Sequence, residues 1–174
     1  GPGGGAIASM RWCETLIFDR VLTANERQQV REYIQDRYAI LAPTIVPADK
    51  PIFELQPRNW FRASNFTTAG ANVATFYDKV QPGHALAQAT PANQVVAPLA
   101  DPLFTNKLSA NFAGAQWYDS NALASSWKFL HDGTGMEVFN VFAPTNTVTQ
   151  VVCATMGAAG PGFQNYTANN QGRF

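Results

Sequence analysis

The stretch Cys13-Glu14-Thr15-Leu16-Ile17-Phe18-Asp19-Arg20-Val21-Leu22-Thr23-Ala24-Asn25-Glu26 places two unlike signals side by side. Residues 13–18 are apolar and β-branched enough for a buried strand, which Asp19-Arg20 ends. Thr23 and Glu26 then form a capping box, in which the Thr23 hydroxyl accepts from the Glu26 backbone N–H and the Glu26 carboxylate accepts from the Thr23 N–H. Beyond it Val30, Tyr33, Ile34 and Tyr38 recur at helical spacing, with Arg27, Arg31, Glu32 and Asp36 turned towards water. The pattern predicts one amphipathic helix that ends near Tyr38 and lays its apolar stripe on its own sheet.

Downstream, Pro43, Pro47, Pro51 and Pro57 remove amide donors and restrict the residues before them, so residues 41–56 are expected to form an extended, proline-rich linker. From Trp60 onwards short apolar and aromatic runs alternate with Gly, Pro, Asn and Asp turns. Strands are expected at 74–77, 108–112, 116–118, 138–142 and 149–153, which is the texture of an antiparallel all-β sandwich. The Gly-, Asn- and Gln-rich tail, 157–174, reads as a loop or edge strand.

Composition narrows the function. The 174 residues carry 12 Lys+Arg and 12 Asp+Glu, and the absence of a basic stripe argues against a nucleic-acid partner. Charged residues make up only 14%, with Asn, Thr, Ala and Gln filling the gaps, a texture that suits a secreted or virion β-protein. No apolar run approaches the length of a membrane span, and the N-terminus has no signal-peptide pattern. The start on Gly1-Pro2-Gly3 reads as a processed chain, one excised from something longer, or one that carries a tag-removal scar. Cys13 and Cys153, each beside apolar β-type residues, read first as buried free thiols, with a disulfide as the alternative.

Residues Glu14 to Thr23, followed by Glu26, Val30, Tyr33-Ile34 and Arg37-Tyr38, resemble the closing strand and helix of LamG-type jelly-roll domains in the concanavalin A-like lectin/glucanase superfamily. Residues 57–155 resemble the opening half of the same domain through Trp60-Phe61-Arg62-Ala63-Ser64, Phe76-Tyr77-Asp78-Lys79 with Ala87-Gln88-Ala89-Thr90, and Asn111-Phe112-Ala113-Gly114 before Trp117-Tyr118. The resemblance implies a closing element over 1–40, the linker over 41–56, and an opening half over 57–174. The expected fold is therefore a concanavalin A-like jelly-roll β-sandwich with one amphipathic helix, incomplete or permuted. Three arrangements fit that order: a window across tandem domains, a permuted domain, or a fragment completed by other protein subunits.

Glycosidases of this superfamily carry closely spaced acids on one strand, because retaining hydrolysis needs two carboxyls about 5 Å apart. Glu14, Glu54 and Glu137 stand alone here, so no catalytic residue is assigned, and a glucanase-type enzyme fragment is the alternative reading only. His84 and His131 have no nucleophile signature near them. Asp119-Ser120-Asn121 and His131-Asp132-Gly133 offer oxygens to calcium, but ordinary Asx turns account for both.

Trp60, Trp117, Tyr118 and Trp127 are candidates for stacking on sugars, and Trp117, Tyr118 and Asn121 are the ligand-binding residues expected at a strand end. Asn65-Phe66-Thr67 and Asn165-Tyr166-Thr167 match the glycosylation sequon. The expectation is a non-catalytic module on an extracellular or virion surface, a structural part of an assembly that also binds glycans or a host surface.

Overall fold

The structure, a computed structural model, describes residues 9–38, 50–114, 116–130, 132–145, 150–154, 164–168 and 171–173. It is mostly antiparallel β-sheet. The strands are β1 (Ser9–Phe18), β2 (Asn59–Ala69), β3 (Asn72–Asp78), β4 (Ala85–Ala87), β5 (Leu99–Asp101), β6 (Lys107–Ala113), β7 (Asp119–Ser120) and β8 (Glu137–Pro144), with α1 (Ala24–Tyr38) and a short α2 (Lys50–Glu54) between β1 and β2. These eight strands form one sheet in the order β5-β6-β1-β2-β3-β4-β7, and β8 lies along the other edge of β1. A separate three-stranded sheet joins β9 (Gln150–Ala154), β10 (Gln164–Ala168) and β11 (Gln171–Arg173).

The quoted stretch is thus the middle of the sheet. On one edge β1 pairs with β8 over nearly its whole length. On the other it pairs first with β6 (Ser9 opposite Ala113) and then with β2 (Glu14 opposite Arg62, Leu16 opposite Trp60). The ladder to β8 shifts register between Trp12 and Glu14, a bulge at Cys13. A bulge places two consecutive side chains on one face and inverts the alternation beyond it.

Met10 and Trp12 accordingly join a core with Phe61, Ala63, Val73, Phe76, Val95 and Ala110. Leu16 and Phe18, after the bulge, join the opposite core, with Leu22, Val30, Tyr33, Ile52, Leu55 and Trp60. Burial on both faces explains why β1 reads as a continuous apolar run rather than an alternating one.

The capping box forms as the sequence predicts: Thr23 N–H donates to Glu26 Oε2 at 2.8 Å, and Glu26 N–H to Thr23 Oγ1 at 3.3 Å. Arg20 grips the same carboxylate at 2.7 Å. The Arg20 guanidinium, followed by the Thr23 donors, holds the Glu26 carboxyl at about 2. Val30, Tyr33 and Tyr38 face the sheet. Residues 39–49 lie outside the described part, so most of the proposed linker does too; its end, however, is not extended. Lys50–Glu54 is a helical turn, because Ile52 and Leu55 are apolar and fill the helix-side core, with Ile52 fully buried.

The start of β8 is fixed by sterics. Gly135 has φ +86°, and a Cβ there would lie 2.6 Å from Val21 Cγ2, so only glycine lets this turn pass over the segment after β1. At the far edge, the buried Asp101 anchors β5: its carboxylate accepts from Ser109 Oγ (2.8 Å), from Leu103 N–H (3.0 Å) and from Arg11 Nη1 (3.2 Å).

Candidate functional site

The residues expected to bind a ligand gather where β4 meets β7, but mostly as structural members. Residues 116–118 are not a strand. The Trp117 backbone bonds to a loop instead of a ladder, its carbonyl accepting from Gln88 Nε2 at 3.0 Å and its N–H reaching Asn93 O at 3.4 Å. The Tyr118 hydroxyl donates to Val73 O at 2.7 Å and accepts from Val95 N–H at 3.1 Å, while its ring packs 5.0 Å from Phe76 and 6.0 Å from Phe112.

Asn121 clips β4: its Oδ1 accepts from Ala85 N–H at 2.7 Å and its N–H donates to Ala85 O at 2.9 Å. Trp117 stays half-buried, and Trp127 donates its indole N–H to Ser120 Oγ at 3.0 Å beside the His84 ring.

The two loops weighed for calcium are engaged internally. Asp132 Oδ1 accepts from Thr134 N–H (3.0 Å) and Oγ1 (2.6 Å), an Asx turn, and His131 lies outside the described residues. Among the described residues no three His, Cys, Asp or Glu side chains are arranged to hold a metal. Asn65, in the first sequon, donates its amide to Tyr77 O at 3.0 Å within the β2–β3 pair. Asn165 lies in β10, and its side chain is outside the described part, as is that of Cys153.

The most concentrated chemistry is a centre that sequence reading passed over. Glu14 is fully buried, and the bulge points it at α1. Its carboxylate accepts from Tyr33 Oη at 2.8 Å and from Arg62 Nε at 2.9 Å, and also from Tyr38 Oη and Trp60 Nε1; Arg37 Nε lies 3.8 Å away. Arg62, itself 4% exposed, stacks its guanidinium 4.3 Å from the Trp60 ring centre, and Lys79 Nζ lies 4.3 Å from the same centre. One carboxylate thereby ties β1 to β2 across the ladder and to α1 through Tyr33 and Tyr38.

A fully buried carboxylate with this many donors organises its neighbours, and its oxygens are taken up by them rather than open to a substrate. Glu137 is likewise engaged, accepting from Leu22 N–H at 3.1 Å and Arg27 Nε at 2.7 Å.

Burial, reinforced by the Glu14 charge, pushes the Tyr33 and Tyr38 phenols up, and burial does the same to the Cys13 thiol. The unfolded chain ionises free phenols near pH 10. The folded chain binds these protons more tightly, so the stability they carry is whole below that pH and falls as pH rises through the folded values. The unfolding free energy read from urea midpoints is expected to decline above about pH 10, by about 1.4 kcal/mol per phenol per pH unit, and more shallowly in Tyr33→Phe. A midpoint that stays level from pH 9 to 12 would contradict burial of these hydroxyls.

Comparison of the chain with protein families, with curated proteins and with solved structures finds no match, so the concanavalin A-like resemblance rests on the residues quoted for it.

Proposed function

We propose that the chain is a non-catalytic module of the jelly-roll kind, in permuted form, that serves as a structural component of a larger assembly on an extracellular or virion surface. The observation that carries this reading is an apolar rim at the open edge of the sheet. Leu99 and Leu103 are 73% and 63% exposed, and among the described residues β5 is the last strand on that side. A protein that remains alone blunts such an edge with charge; here the one acid of β5, Asp101, is turned inward and leaves the leucines outside. Pro98 and Pro102 flank the strand and limit the open ladder to three residues, so side chains provide most of the docking area.

The permuted reading is supported by β1 itself: the element that resembles a closing strand pairs with β2, β6 and β8 of the same chain. The non-catalytic reading is supported by the engagement of Glu14 and Glu137, which leaves neither arranged as a retaining pair would be. Glycan contact, within this reading, rests on Trp117.

Light scattering of the native particle, with mass spectrometry of its polypeptides, tests the proposal. A particle larger than the 18.9 kDa chain is expected, reduced in mass by Leu99→Lys/Leu103→Lys while the urea midpoint stays unchanged. An 18.9 kDa monomer at all concentrations, with no second polypeptide, would overturn it.

A further inference from the structure

Beside the C-terminal end of α1 a recess of about 190 Å³ opens between α1, β1, β2 and the start of β6. Its wall includes Arg37, Arg62, Lys107, Ser64, Asn106 and Cys13. We infer that this recess binds a single tetrahedral oxyanion, a sulfate or phosphate group, either free or as an ester at the end of a larger ligand.

Charge and hydrogen-bonding capacity point the same way. Arginine and lysine side chains donate and do not accept, while Ser64 and Asn106 add a hydroxyl and an amide, so the wall favours an acceptor-rich guest. The three cations come from three different elements, α1, β2 and β6, as convergent recognition of one group requires.

The arginines are also held in place. Glu14, behind the wall, fixes Arg62 at 2.9 Å and lies 3.8 Å from Arg37, and Arg62 is stacked on Trp60. The two nearby carboxylates do not line the wall: Glu14 lies behind it, and Asp101, opposite Lys107 in the β5–β6 ladder, is bonded to Arg11. The neighbouring thiol of Cys13, kept protonated by burial, adds no opposing charge. Asn106 enters the wall from a left-handed turn, φ +58°, whose N–H is held by Asp101 O at 2.9 Å.

Size limits the guest. Pockets for drug-sized ligands run from about 300 to 1,000 Å³, so this recess takes one compact group and not a whole cofactor or sugar chain. Guanidinium groups bind such oxyanions through short, charge-assisted bonds.

The test is an amide NMR titration of the full chain with sodium sulfate, sodium phosphate and glucose 6-sulfate, each against sodium chloride at matched ionic strength. Saturable shifts are expected at Ser64, Asn106 and Lys107, weakened about tenfold by Lys107→Gln and retained by Lys107→Arg. Lys107 is only half-buried, so the glutamine variant folds, which the unchanged remainder of its spectrum verifies.

Binding of the inorganic anions alone identifies a site for a free anion, and equal binding of the sugar sulfate identifies one for an ester. Shifts that chloride reproduces, that do not saturate, or that persist unchanged in Lys107→Gln would overturn the inference.

Discussion

Replacing Glu14 by glutamine is expected to destabilise the chain by about 3–5 kcal/mol, the usual cost of removing one member of a buried ion pair. The shapes of the two side chains are nearly the same, so almost all of the loss is electrostatic. Arg62 and Arg37 lose the carboxylate that neutralises them, and a new amide donor meets the hydroxyls and the indole N–H that formerly donated to an oxygen. Against a total stability of about 5–15 kcal/mol for a domain, that loss removes much of the folded margin.

The measurement is the urea midpoint at constant m-value. Adding Arg62→Met to Glu14→Gln takes away one stranded charge and is expected to recover part of the loss. If the double variant instead loses the sum of the two single effects, the residues do not act as a unit.

Trp60→Ala is expected to cost about 3–5 kcal/mol, for a different reason. Trp60 is fully buried and fills the space between sheet and helices, with the Phe53 ring 4.8 Å away and Tyr33 set edge-on at 6.1 Å. Truncation opens a void that α2 has to cover, and it removes the ring on which Arg62 and Lys79 rest. Trp60→Phe separates the contributions: it keeps an aromatic ring and loses the indole donor to Glu14, for an expected cost of about 1–3 kcal/mol. A phenylalanine variant as unstable as the alanine one would assign the whole effect to the hydrogen bond.

What the sequence made legible was local. The capping box at Thr23 and Glu26 sets the helix start through contacts three residues apart, and the apolar run before Asp19 can only be a buried strand. Both signals sit within one element, so no knowledge of distant chain is needed. Glu14 was legible only as an isolated acid, because its partners arrive from Tyr33 and Arg62, 19 and 48 positions away, and because the bulge that aims it is a feature of pairing with β8.

The same limit explains Tyr118. An aromatic beside Asp119-Ser120-Asn121 reads as the mouth of a loop, yet its hydroxyl satisfies backbone groups of Val73 and Val95, and nothing near it in sequence announces that. The helix over 50–54 was hidden by Pro51, which argues against a long helix and is compatible with a single turn.

The central position of β1 also shapes how the chain is made. Thr15 bonds to Asn140, 125 positions later, and β1 finds no complete set of neighbours until β8 has been synthesised. At about 5–20 residues per second the ribosome needs about 6–25 s to cover that interval. Through much of it Leu16, Ile17 and Phe18 have α1, α2 and the emerging β2 to shelter them, and no β8. Contacts this distant in sequence slow folding because loop closure precedes any gain from pairing. The segment that organises the finished sheet is therefore left with apolar surface exposed for longer than its neighbours in the chain require, which favours aggregation while the chain is being made.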